Sequence, residues 1–171
     1  MKKLISLLMV LLLALSLIAC GDDDDNNIVD PPEEQESIVG TWVSEGQNVA
    51  PLLVSLFKVT KVTATFNENG TYTVVQVDSA NTSLTLTGTY EIEESGVGDI
   101  YTITANQQNP GTLTSEGIYE VTTEQDPDVM KYEVVQTSPS IGAVPPTAAG
   151  GFGSTNGGAL GTANVQYYVR Q

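Results

Sequence analysis

The 171-residue sequence holds one cysteine, no histidine and only 6 lysine or arginine residues. A lone cysteine excludes an internal disulfide, and without histidine there is no Ser-His-Asp triad and no imidazole-based zinc site. With 21 acidic side chains and a formal net charge of -15, the chain repels phosphate backbones. Nucleic acid is therefore not an expected partner, because affinity for it comes mainly from Lys and Arg. Aromatic residues are few, 7 Tyr, 3 Phe and 1 Trp, too sparse for the two interfacial girdles of a membrane-spanning barrel.

The one long apolar stretch is N-terminal. Lys2 and Lys3 precede an apolar run from Leu4 to Leu15, followed by Leu17, Ile18, Ala19 and Cys20. A helix needs about 20 apolar residues to cross a hydrocarbon core, so residues 1–19 are expected to be a cleaved signal peptide. Leu17-Ile18-Ala19-Cys20 resembles the bacterial lipobox. That resemblance implies cleavage before Cys20, acylation of its thiol with palmitate-type chains, and anchoring of the protein to a membrane by lipid. Without Lys2 and Lys3, four basic residues face the 21 acidic ones.

Residues 21–37 read GDDDDNNIVDPPEEQES. Like charge, few apolar side chains and two prolines predict a disordered acidic tether across 20–37. Asp22 to Asp25 lack the ligand spacing and turn glycine of an EF-hand, so no metal is expected there. An acidic run directly after the lipidated cysteine also resembles the surface-export signal of Bacteroidota lipoproteins. It implies an outer-membrane protein facing the cell exterior.

From Ile38 onward the apolar period is two, and turn residues recur at short intervals, as at Asn69-Gly70, Asn109-Pro110-Gly111 and Asp126-Pro127-Asp128. Residues 38–171 are thus an all-β domain. Strands are predicted at 38–44, 62–66, 71–77, 83–93, 99–105, 113–123, 129–137 and 163–170, with a hairpin at Asn69-Gly70 whose two residues tolerate positive φ. Eight antiparallel strands with mostly tight turns close naturally into an up-and-down barrel, with a β-sandwich as the competing architecture.

Two connections are long. In residues 45–59, Pro51 opens a short run that sets Leu52, Leu53, Leu56 and Phe57 on one side of a helical turn, as a lid or as an end of the core. Residues 138–161 are rich in Gly, Ala and Pro, and a loop of that length is either functional or disordered. No phosphate-loop pattern accompanies its glycines, so no nucleotide and no other cofactor is expected.

The domain resembles the lipocalin-like domains of Bacteroidota lipoproteins. The resemblance is carried by Ile38-Val39-Gly40-Thr41-Trp42, by residues 65–72 (TFNENGTY) and by Gly88-Thr89-Tyr90-Glu91-Ile92. Gly40 and Trp42 match the lipocalin Gly-x-Trp signature. The resemblance implies that the single arginine, Arg170, stacks on Trp42 to close one end of the barrel. It also implies a small, largely apolar ligand inside, with Trp42, Leu84, Leu86, Tyr90, Tyr101, Tyr119, Tyr132 and Tyr167 lining the cavity by parity and Leu52, Leu53, Leu56 and Phe57 over it. Two alternatives stand beside this reading. One is a barrel filled by its own side chains, acting as a surface module for a glycan or protein partner. The other is an enzyme, which the sequence disfavours: Glu93 and Glu94 alternate faces, Glu33 and Glu34 sit in the tether, and no catalytic residue emerges.

Overall fold

In a computed structural model, which describes residues 37–171, eight antiparallel strands close into one up-and-down barrel. They are β1 (Gly40–Glu45), β2 (Val59–Phe66), β3 (Thr71–Asp78), β4 (Ser83–Val97), β5 (Ile100–Asn109), β6 (Leu113–Thr122), β7 (Val129–Ser138) and β8 (Gln166–Arg170). Among the described residues the one α-helix, α1 (Pro51–Phe57), lies between β1 and β2. Residues 1–36, including the predicted signal peptide, Cys20 and nearly all of the tether, lie outside the described residues. Because β8 returns to pair with β1, alternation here serves a barrel and not a sandwich.

The register places one residue of each strand pair on the same face, so Trp42, Ala64, Val74 and Leu86 form a continuous inward row. Two ends follow from the topology. The base carries the β2–β3, β4–β5 and β6–β7 turns together with residues 37–39. The rim carries α1, two short turns and the long β7–β8 connection.

The structure adjusts the predicted boundaries. β1 starts at Gly40 because Ile38, fully buried, serves as a plug at the base. β8 starts at Gln166, not at Ala163, because residues Gly161–Asn164 wind into a 3-10 turn. At the β2–β3 hairpin only Gly70 takes a positive φ, of 75°. The loop is four residues long, with Gly70 N–H donating to Asn67 O, while Asn69 Oδ1 accepts from Thr71 N–H and Thr71 Oγ1. A side-chain bond thus does what a second left-handed residue would have done.

The Gly-rich β7–β8 connection is ordered as a second layer on one wall. Its turns Thr155–Gly158 and Ala148–Gly150 touch β7 and the β4/β5 pair respectively. Glu133 points outward from β7 into this layer and is fully buried. Its carboxylate accepts from Gly153 N–H at 2.6 Å, Thr155 Oγ1 at 2.5 Å and Thr155 N–H at 3.3 Å, which offsets the loss of water around a buried charge. Ile118, paired with Glu133 across the sheet, is also fully buried on this outer face.

Gly88 and Gly117 mark where neighbouring strands press closest. A Cβ at Gly88 would stand 2.0 Å from Asn106 O, and one at Gly117 would stand 1.9 Å from Glu133 O. Both glycines keep a negative φ, so their requirement is steric. Gly117→Ala is expected to cost about 3 kcal/mol or more, since backbone must move to admit the methyl group. Gly111→Ala, where nothing lies within 4 Å, should stay within about 0.5 kcal/mol. Urea unfolding of the two variants checks the contrast, and equal midpoints would remove the steric account.

Candidate functional site

The barrel interior divides into an aromatic base and a more polar rim. At the base, Trp42 is fully buried and its Nε1–H donates to Ile38 O at 2.7 Å. Arg170 lies over the Trp42 ring with Cζ 4.2 Å from the centroid. Its Nε donates to Asp128 Oδ2, Nη1 to Val39 O and Nη2 to Ser37 O, each at 2.7 Å. Gly40 has φ of 133°, and a Cβ there would meet Arg170 Nη1 at 2.7 Å. The glycine therefore makes room for the guanidinium that covers the tryptophan two residues on. The structure brings Gly40, Trp42 and Arg170 together as one seal.

Above the seal the rings interlock. Phe66 meets Tyr90 edge-on at 5.1 Å and Tyr132 at 6.3 Å; Tyr132 meets Tyr168 edge-on at 6.1 Å, and Tyr101 stacks on Tyr119 at 5.3 Å. Tyr90 Oη donates to Asn67 O at 2.9 Å. Burial pushes the hydroxyls of Tyr72, Tyr90, Tyr119, Tyr132 and Tyr168 above the ordinary phenol value of 10.0, with neighbouring tyrosines adding to the rise at Tyr119 and Tyr132.

Toward the rim, packing loosens. Val74, Leu86, Tyr132 and Val134 share the inward face yet are only half-buried, and Leu84 at the lip is 47% exposed. Between them stand uncharged polar side chains on the same parity: Ser44, Gln76, Gln107, Gln136 and Gln166. Gln107 Nε2 and Gln136 Nε2 donate to turn carbonyls, of Gly111 and Pro139, both at 2.8 Å. Ser44 Oγ and Gln166 Nε2 are buried with no hydrogen-bond partner.

Two groups of predicted lining residues need correction. Leu53 packs on the core and Leu52 is partly buried, but Leu56 and Phe57 are 67% and 63% exposed. The helix has 7 residues and leans on β2 and the Gly161–Asn164 turn, so its first turn reaches the barrel and its second does not. Tyr167 points outward, while Tyr168, paired with Met130, is the inward tyrosine of β8. Sequence reasoning also missed Tyr72 and the rim glutamines. Strand parity could have found Gln76, Gln107 and Gln136. An open cleft of about 500 Å³ lies elsewhere, in the outer layer among Val144, Pro145, Thr147, Phe152 and Ser154. Lys131 reaches over the Phe152 ring at 5.5 Å. Among the described residues no three His, Cys, Asp or Glu side chains gather as metal ligands.

Arg170→Lys keeps the charge but gives up the planar fork that spans three acceptors, so a loss of about 2 kcal/mol is expected, with a red shift of Trp42 emission. Urea unfolding followed at Trp42 tests this, and an unchanged midpoint would dismiss the seal. A second expectation concerns alkali. Tyr119, Tyr132 and Tyr168 keep in the fold a proton that the unfolded chain loses above about pH 10, so the unfolded state gains as pH rises past that value. Stability should hold at lower pH and then fall by about 1.4 kcal/mol per pH unit for each such tyrosine. Melting temperatures recorded in steps to about pH 11 test it, with Tyr119→Phe expected to lower the slope. No protein-family model, no curated protein and no solved structure matches the chain.

Proposed function

We propose that this chain is a lipid-anchored cell-envelope protein whose barrel holds a small, largely apolar molecule in its rim half. The observation that supports the reading most directly is the inward trio Val74, Leu86 and Val134. These side chains face the barrel axis and, although Val74 and Val134 pack against the core below them, all three keep more accessible surface than Val62 or Ile103. Accessible apolar side chains gain free energy when an apolar ligand replaces the water against them, at about 25 cal/mol per Å² removed from contact. The base sealed by Trp42 and Arg170 leaves the rim as the entrance, with Leu53 of α1 beside it. The lipid on Cys20 and the outward-facing outer-membrane location rest on the lipobox and acidic-run resemblances. No catalytic role is assigned.

A second reading, a surface module that engages a glycan or protein, is favoured by the outer cleft at Phe152. It also draws on Ile141 and Val144 of the same layer, which are 65% and 57% exposed.

Native mass spectrometry of the full protein purified from its own source, followed by extraction of what stays bound, separates the two. The barrel reading expects one apolar molecule per chain. It also expects Val134→Phe, which fills the inner wall, to weaken rebinding at least about tenfold in a protein that still folds. A bare mass that no added apolar compound shifts would transfer the function to the outer surface.

A further inference from the structure

Two buried polar atoms inside the barrel have no partner: Ser44 Oγ, in a residue with 0% exposure, and Gln166 Nε2, in a residue with 5%. An unmade hydrogen bond in such a place is costly, and native interiors rarely leave one without a use. Both atoms belong to the same part of the wall. β1 and β8 are hydrogen-bonded neighbours through Trp42↔Arg170 and Val43↔Val169. Ser44 and Gln166 lie on the rim side of that seam, on the inward parity of Trp42 and Tyr168. Gln166 pairs with the half-buried Tyr132 on its other flank.

We infer that Ser44 Oγ and Gln166 Nε2 bind the polar end of the ligand, and that this end is a neutral oxygen: an alcohol, a ketone or an ester. The inference rests on the barrel being the binding cavity. An amide N–H can only donate and a serine hydroxyl can donate or accept, so the pair suits an uncharged oxygen with free lone pairs.

A carboxylate or phosphate would need a cation or a set of donors like the three around Glu133; the rim offers two unpaired atoms, and the described basic side chains are committed elsewhere. Arg170 is held at the base by Asp128 and two carbonyls. Lys61 pairs with Glu45 on the exterior, Lys58 donates to Ser55 O on the exposed end of α1, and Lys131 stands on the outer wall beside Glu120 and Phe152. An anion taken into the rim half would lose its water with nothing to compensate. The apolar body of the ligand then lies along Val74, Leu86 and Val134.

The test uses the purified full chain and three probes of equal chain length, dodecane, dodecanol and dodecanoate, each competed against an apolar fluorophore at about pH 8, where the acid is ionised. Dodecanol is expected to bind at least about tenfold more tightly than either of the others. Ser44→Ala and Gln166→Leu should each remove about tenfold from dodecanol and leave dodecane unchanged. Near-UV circular dichroism verifies folding, and Ser44→Ala, which deletes a single oxygen atom, carries the test if Gln166→Leu does not fold. Dodecanoate binding as tightly as dodecanol, or dodecanol unaffected by a folded variant, overturns the assignment while leaving the cavity in place; the two atoms would then serve an ordered water. If the fluorophore and all three probes fail to bind, the cavity reading falls and the assignment with it.

Discussion

Closure at the seam between β1 and β8 is the constraint on which the rest of this structure depends. The two strands share only two register pairs, where β6 and β7 share nine. So short a ladder supplies little of its own cohesion. What it lacks comes from Arg170, whose side chain binds Asp128 before β7, the carbonyls of Ser37 and Val39 before β1, and the face of Trp42 on β1. Backbone bonds from Arg170 N–H to Asp128 O and from Gln171 N–H to Thr41 O, both 2.9 Å, extend the same junction. One cation therefore ties the last strand to the first, and at this point the sheet edge disappears.

That dependence explains how much was legible in the sequence. Strand existence follows from local alternation, and all eight strands were readable from it. Closure is not local: it joins Trp42 to Arg170 across nearly the whole domain, and alternation alone left a sandwich open. The seal was expected for a different reason: the resemblance of Gly40-Thr41-Trp42 to the lipocalin signature implies an arginine over the tryptophan, and the chain holds a single arginine. Tyr167 and Tyr168 illustrate the opposite case. Adjacent tyrosines satisfy either parity equally well, and only the pairing of Tyr168 with Met130 decides which one enters the core.

The Gly-rich connection shows a further way in which sequence reading falls short. Composition allowed a mobile or a functional loop and gave no sign that it would pack as an outer layer. The sign lies in a charged residue on the wet face of β7. Glu133 can be buried because the connection brings two backbone N–H groups and a threonine hydroxyl to its carboxylate, and those same bonds help hold the connection to the wall. Neither partner reveals this alone. The same mutual dependence seats Asn164, whose amide donates to Val134 O just before β8 begins. The outer layer thereby positions the strand that completes the barrel.

A base fixed in this way leaves adaptation to the rim. Rings packed edge-on and tilted around Phe66 resist rearrangement, since each would have to move with its neighbours. The rim has no such network, and its helix is far below the length at which a helix is stable by itself, so the order of α1 derives from Leu53 against the core and from its few contacts with β2 and the Gly161–Asn164 turn. Such an element opens at lower cost than the barrel it adjoins. Under the proposed binding role, entry and exit would belong to the rim beside α1, where neutral glutamines and a serine share the inward parity. Among the described residues, acidic side chains such as Glu91, Glu93 and Glu94 of the long β4 arm are exposed. An inward carboxylate would have needed either a cation or a donor set like the one the outer layer gives Glu133, and the chain has already committed its only arginine to closing the wall.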